Sequence, residues 1–191
     1  KGARVIIIAH EGHAEGTLRS VSKRLNRYTR VSFDATPIPS LPNIGAGMKN
    51  GSAVLLENIR KYPGEEKNSI SFARALARTA DVYVNDAFSV CHRKHASVVT
   101  LPRLLPAYCG PLLHEEVSHL SLALSPKHPF VFILGGAKFS TKMPLIKKYL
   151  QIADTVFVGG ALANDFYKTL GMDVGRSRVE RPGATLLPLL K

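Results

Sequence analysis

Five short apolar runs recur along the chain, each closing on polar residues or glycine: VIIIAH from Val5, AVLLEN from Ala53, DVYVNDAF from Asp81, FVFILGG from Phe130 and TVFVGG from Thr155. Nearly continuous apolar runs of this length predict strands buried on both faces of a parallel sheet. Between them, apolar residues return at helical spacing. Leu18, Val21, Leu25 and Tyr28 form one stripe, and Phe72, Ala73, Leu76, Ala77 and Ala80 a second; Ala161, Phe166 and Leu170 form a third that stops at Gly171. Strands alternating with helices predict an α/β layered fold. From Leu101 to Pro129, spaced prolines and a Gly-Pro lead into a helix-like stretch that ends at a second proline-bounded break. A helix flanked by breakers between two βα regions is expected to connect domains.

Composition narrows the picture without choosing a fold. A chain of 191 residues with 45% hydrophobic content holds one ordinary core or two small ones. The net charge of +12 favours an anionic partner: nucleic acid, an acidic membrane surface or phosphorylated small molecules. The two cysteines, Cys91 and Cys109, form no CxxC pair, which points to a reducing compartment and a cytoplasmic location. No apolar run approaches the roughly 20 residues of a membrane span. The chain opens on Lys1 directly before a strand-like run, so it reads as a piece of something longer.

In open α/β sheets ligands bind beyond the carboxyl ends of the strands, so the chemistry is sought there. Glycine pairs at Gly135-Gly136 and Gly159-Gly160 allow a ligand to approach the backbone, and amides at a following helix start favour an anion. With Ser140 as the expected N-cap, Lys138 falls in the loop and Lys142 in the first helical turn, both within reach of one phosphate chain. The stretch does not satisfy GxxxxGK[ST], and GAGMKNG at Gly45 precedes a strand instead of following one, so neither is a P-loop. Arg60 and Arg93, at two other strand ends, suit bidentate binding of carboxylate or phosphate, although each alone reads as a surface charge. His10/His13 and His92/His95 have i, i+3 spacing, but no carboxylate or cysteine completes a ligand set and no metal site is expected.

The blocks VLLENIRKYPGEEKN, ADVYVNDAFSVCHRKHAS, LPAYCGPLLHEE, PFVFILGGAKFSTK and TVFVGGALANDF follow one another in the order and at the spacings of phosphoglycerate kinase, a family that the chain resembles over essentially all its length. The resemblance implies two Rossmann-like three-layer αβα domains with parallel sheets, joined by a helix and both incomplete here. Residues 1–111 would be part of an N-terminal 3-phosphoglycerate-binding domain and 112–128 the interdomain helix and linker. Residues 129–191 would begin a C-terminal nucleotide-binding domain. The implied reaction is reversible phosphoryl transfer from 1,3-bisphosphoglycerate to ADP, a cytoplasmic step of glycolysis, with Mg2+ carried by the nucleotide and a monomer when complete. His10, His13, Arg60, His92 and Arg93 match or stand in for substrate-binding positions. Lys138 matches the lysine beside the transferred phosphoryl group and, with Arg60 and Arg93, is expected to be catalytic. Gly135, Gly136, Ala137, Lys138 and Lys142 would line the nucleotide phosphates, and Gly159, Gly160 and Ala161 stand where the family has three glycines beside the adenine.

Three departures accompany the resemblance. His13 replaces an arginine, Glu15 a lysine and Ala161 a glycine. Compared with the family, the chain also lacks the first strand with its substrate-binding Asp and Arg, as well as the glycine-rich loop and the ribose-contacting acid of the C-terminal domain, so the piece alone is expected to be inactive. The alternative is a degenerate, non-catalytic paralogue acting as a binding or structural protein. Basic residues are spread along the chain with no RNP-like or helix-turn-helix pattern, so neither a nucleic-acid nor a membrane partner is expected.

Overall fold

A computed structural model of the chain describes residues 2–12, 15–38 and 44–180. It divides into two compact units, Lys1–Val117 and Ser118–Lys191. In the first, β1 (Val5–Ile7), β2 (Val31–Asp34) and β3 (Ala53–Leu56) form a parallel sheet in the order β1-β3-β2. The central position of β3 explains its composition. Val54 and Leu56 face a core with Phe72, Ala73 and Leu76, while Leu55 faces the opposite core with Leu18 and Val31, so every residue from Val54 to Leu56 is buried.

Helices α1 (Arg19–Leu25), α2 (Ile44–Gly47), α3 (Pro63–Glu66) and α4 (Ile70–Ala77) follow from the predicted stripes only in part. In α4, Ser69 accepts from the Phe72 amide and the Phe72-Ala73-Leu76 face is buried, as its spacing requires. In α1 the stripe ends early. Asn26 donates to the Val31 carbonyl at 2.6 Å and accepts from the Val31 amide at 3.1 Å, which turns the chain toward β2 and leaves Tyr28 78% exposed.

The remaining strands of this unit, β4 (Tyr83–Asn85) and β5 (Ala107–Cys109), pair in parallel, and Tyr83 joins the core of Phe72 and Leu76. Between them lie a turn at Phe88–Val90 and a π-helical turn at Ala96–Thr100. Helix α5 (Pro111–Leu122) follows, its Leu113 amide donating to Asp86 at 2.9 Å; the division between the units falls inside it.

The second unit pairs β6 (Val131–Gly135) with β7 (Thr155–Gly159) in parallel, each followed by a helix: α6 (Phe139–Tyr149) and α7 (Ala161–Thr169). Leu134, Phe139, Ile146 and Leu162 form its core, and the Phe139 and Phe166 rings meet edge-on with centroids 5.7 Å apart. Both units are therefore α/β with parallel strands. The expectation of strands buried on both faces holds for β3 alone. Val84 of β4 is more than half exposed, and so are Val131, Ile133 and Phe157, because among the described residues α6 and α7 cover only the face of β6 and β7 that carries Phe132, Leu134 and Val158. Leu170 is likewise exposed, since α7 ends before it and the chain turns at Gly171 with φ +82°. No helix is long and apolar enough to cross a membrane among the described residues.

Candidate functional site

Parallel strands deliver their carboxyl ends to one edge of the sheet, and in the first unit that edge carries two of the predicted residues. His10 follows β1, and Arg60 lies in a 3-10 turn, Ile59–Lys61, after β3. The intervening Glu57 and Asn58 are buried and tie the two segments together. Glu57 accepts from the Leu18 amide at 3.0 Å, the Asn58 amide at 2.8 Å, Thr17 Oγ1 at 2.9 Å and Lys61 Nζ at 2.9 Å. Burial would raise its pKa, but these hydrogen bonds outweigh burial and bring it down to about 2. Asn58 donates to the carbonyls of Glu11 and Gly16, and the Ile59 amide to that of Ala9, so the chain after β1 is held at these three residues.

Arg60 is not the surface charge that its type suggests. Its side chain is only 8% exposed. Nη1 donates to the Gly12 carbonyl at 2.6 Å and Nε lies 3.7 Å from a Glu66 oxygen, yet Nε and Nη2 are buried with no hydrogen-bond partner among the described residues. Buried guanidinium groups are normally satisfied, because an unmet donor costs its full desolvation penalty. His10 is half-buried; burial, then the positive charges of Arg60, Arg93 and His95, lower its pKa below the usual histidine value, with Glu66 opposing.

Arg93 and His92 sit exposed in the loop after β4, and only Arg93 acts on His10. His13 lies outside the described residues. His95, expected only as half of a failed metal pair, is turned inward, its side chain 14% exposed and Nδ1 3.7 Å from Glu65. Glu65 is itself buried and accepts from Ser97 Oγ at 2.6 Å and the Ser97 amide at 3.0 Å. It thereby joins α3, just beyond Arg60, to the segment just beyond Arg93. Among the described residues no three His, Cys, Asp or Glu side chains come together to hold a metal ion.

In the second unit the two glycine pairs meet. Gly135 pairs with Gly159 in the β6–β7 register, the Leu162 amide donates to the Gly136 carbonyl at 2.8 Å, and a Cβ on Gly160 would lie 3.7 Å from Gly136 N and O. Gly136 has φ +146° and Gly160 φ +63° with ψ −155°, backbone that side chains disfavour. Lys142 folds back, its Cε 3.6 Å from the place of a Cβ on Gly136. Ala137 and Lys138 are exposed beside it, and Ala161 opens α7 half-buried. The predicted N-cap is corrected. Lys138 occupies that position with no side-chain cap, and Ser140 is already helical, its amide and Oγ bound instead by Glu180 at 3.0 and 2.8 Å. An apolar groove of about 240 Å³ lined by Ile146, Val156, Val158 and Phe166 touches none of these residues.

Sequence reasoning had passed over Glu57, Asn58, Glu65 and Glu180, and weighed His95 only as a metal ligand. The only local signal was at Glu57 and Asn58, two polar residues directly after an apolar run.

The family model for phosphoglycerate kinase matches residues 1–189. Phosphoglycerate kinases of Methylorubrum extorquens and Moorella thermoacetica are 41% and 43% identical over 191 and 190 aligned residues, each alignment covering 94% of this chain and 48% of the relative. Among solved structures, the phosphoglycerate kinase of Pyrococcus horikoshii OT3 superposes with a TM-score of 0.83 at 30% identity, over 92% of this chain and 47% of that one. The enzyme of Coxiella burnetii gives 0.75 at 33%, over 94% and 47%. The chain thus spans about half the length of the relatives it matches. With the family model covering nearly every residue and these relatives 41% and 43% identical over 94% of it, the chain belongs to the phosphoglycerate kinase family.

Proposed function

We propose that this chain carries the acid-substrate site and nucleotide-phosphate loops of an enzyme catalysing reversible phosphoryl transfer from 1,3-bisphosphoglycerate to ADP, yielding ATP and 3-phosphoglycerate in cytoplasmic glycolysis. The observation that carries the reading is Arg60, a buried guanidinium with two donors unmet among the described residues, which acts with Arg93 on the half-buried His10. Such a group is poised for an oxyanion, and a phosphate or carboxylate completes it with charge-assisted hydrogen bonds. An arriving anion also offsets the positive charges that, after burial, lower the His10 pKa, so His10 gains a proton more readily in the complex.

In this reading Arg60 and Arg93 hold the acid, with His10, His13 and His92 around it. Lys138 stands at the transferring phosphoryl group, Lys142 on the nucleotide phosphates, and Gly135, Gly136, Ala137, Gly159, Gly160 and Ala161 line the nucleotide. Residues 1–111 are the acid-binding domain, 112–128 the connector and 129–191 the nucleotide portion. The chemistry needs no covalent intermediate and no general base, since positioning and cationic stabilisation of the in-line transition state suffice. Mg2+ arrives on the nucleotide, and no residue of the chain is assigned to it. The partners are small molecules, and the protein acts as a monomer.

Arg60→Met tests the reading. A residue kept for an anion at the expense of stability predicts that the variant melts no lower than wild type, since an unsatisfied buried charge is removed, while calorimetric 3-phosphoglycerate affinity falls at least about tenfold. A lowered melting temperature with unchanged affinity would make Arg60 a structural residue and remove the main support for an acid site.

A further inference from the structure

Helix α6 begins badly by its own sequence. Lys138 at the N-cap has no acceptor to offer the free amides of the first turn. Pro144, inside the helix, has no N–H to donate to the Ser140 carbonyl four residues back. The first turn therefore lacks both a local cap and one of its own hydrogen bonds. Yet this turn carries Lys138 and leads directly to Lys142.

The deficit is met from far along the chain. Glu180 Oε2 accepts from the Ser140 amide at 3.0 Å and Oε1 from Ser140 Oγ at 2.8 Å, and the Phe139 amide and the Lys138 charge also act on this carboxylate. Glu180 is not free to drift. Its own amide donates to Asp165 Oδ1 at 2.7 Å, and the Arg178 carbonyl accepts from Asn164 Nδ2 at 3.2 Å. Asp165 is buried in α7, the helix that follows the other glycine pair. One short strap thus links the helices behind both glycine turns.

We infer that Glu180 is a positioning residue: it caps α6 in place of a local residue and so fixes the first turn from which Lys138 and Lys142 project. The inference rests on the nucleotide reading proposed above for the ligand that the lysines meet. A negative group at a helix start is stabilising in its own right, and a bidentate carboxylate on an amide and a hydroxyl fixes orientation as well.

Hydrogen exchange followed by mass spectrometry, together with calorimetric titration of MgADP, tests the inference on wild type, Glu180→Ala, Glu180→Gln, Lys142→Ala and the Glu180→Ala/Lys142→Ala double variant of the full chain. Glu180→Ala is expected to speed exchange in residues 137–143 and weaken MgADP binding about tenfold, each on the scale of a lost cap. Glu180→Gln, which keeps one acceptor oxygen, is expected to fall between wild type and Glu180→Ala. Lys142→Ala in the Glu180→Ala background should add little, because a lysine already misplaced has little left to lose. Unchanged exchange in residues 137–143 overturns the cap. Faster exchange with unchanged or tighter MgADP binding, or with fully additive losses, overturns the positioning role. If wild type takes up no MgADP while exchange responds as expected, the nucleotide reading fails and the cap stands.

Discussion

Glu57 shows how one side chain is made to serve as a joint. It is a carboxylate in a nearly dry position, which is stable only because four donors converge on it, two of them backbone amides. Its pKa of about 2 in the folded chain lies below the value of 4.5 for the free side chain. A depressed folded-state pKa contributes stability that is present above the unfolded value and lost as pH falls toward the folded one. Unfolding free energy measured in urea should therefore decline between about pH 4.5 and pH 2 by an amount on the order of 3 kcal/mol attributable to this residue. Glu57→Gln should be less stable at pH 7 and should lack that part of the decline. An identical acid profile in the variant would show that the joint contributes nothing. Arg60, three residues on, is the reverse case: Nη1 meets the Gly12 carbonyl, but Nε and Nη2 have no hydrogen-bond partner among the described residues, which is why the proposal above gives it to a ligand.

At the scale of elements, β6 and β7 end in glycine turns that only glycine occupies easily. Gly160, at φ +63° and ψ −155°, lies where a side chain costs about 1 to 3 kcal/mol, so Gly160→Ala should lower stability by that order in a denaturant titration. A variant as stable as wild type would mean that the turn relaxes to ordinary backbone. These turns were legible in the sequence, because an apolar run stopped by Gly-Gly is a local signal, and the five longer runs were legible as strands for the same reason. The strands β2, VSFD, and β5, AYC, were missed because neither lies in an unbroken apolar run: Ser32 and Asp34 interrupt the first, and the second directly follows Pro106. The start of α6 was misplaced by one turn of logic: Ser140 is a favoured capping type, but its cap comes from Glu180, 40 positions later. The same limit hid the burial of Glu57 and Asn58, whose partners include Leu18 and Glu11, 39 and 47 positions earlier. Contacts of that span are written in the fold and not in any window of sequence.

For the whole molecule, part of the net charge of +12 gathers at two places of different construction. In residues 1–117 a buried arginine is held beside His10 and Arg93, and in residues 118–191 two lysines flank a meeting of glycine turns. On the reading proposed above for this member of the phosphoglycerate kinase family, one place serves the acid and the other the nucleotide. The central claim is that the two anions are recognised independently, each by its own unit. Calorimetric titration of the 191-residue chain with 3-phosphoglycerate and, separately, with MgADP tests it most directly, using wild type, Arg60→Met and Lys142→Ala. Both ligands should bind wild type saturably, Arg60→Met should lose 3-phosphoglycerate and keep MgADP, and Lys142→Ala should do the opposite. No binding of either ligand to wild type, or loss of both ligands together in either variant, would contradict the account.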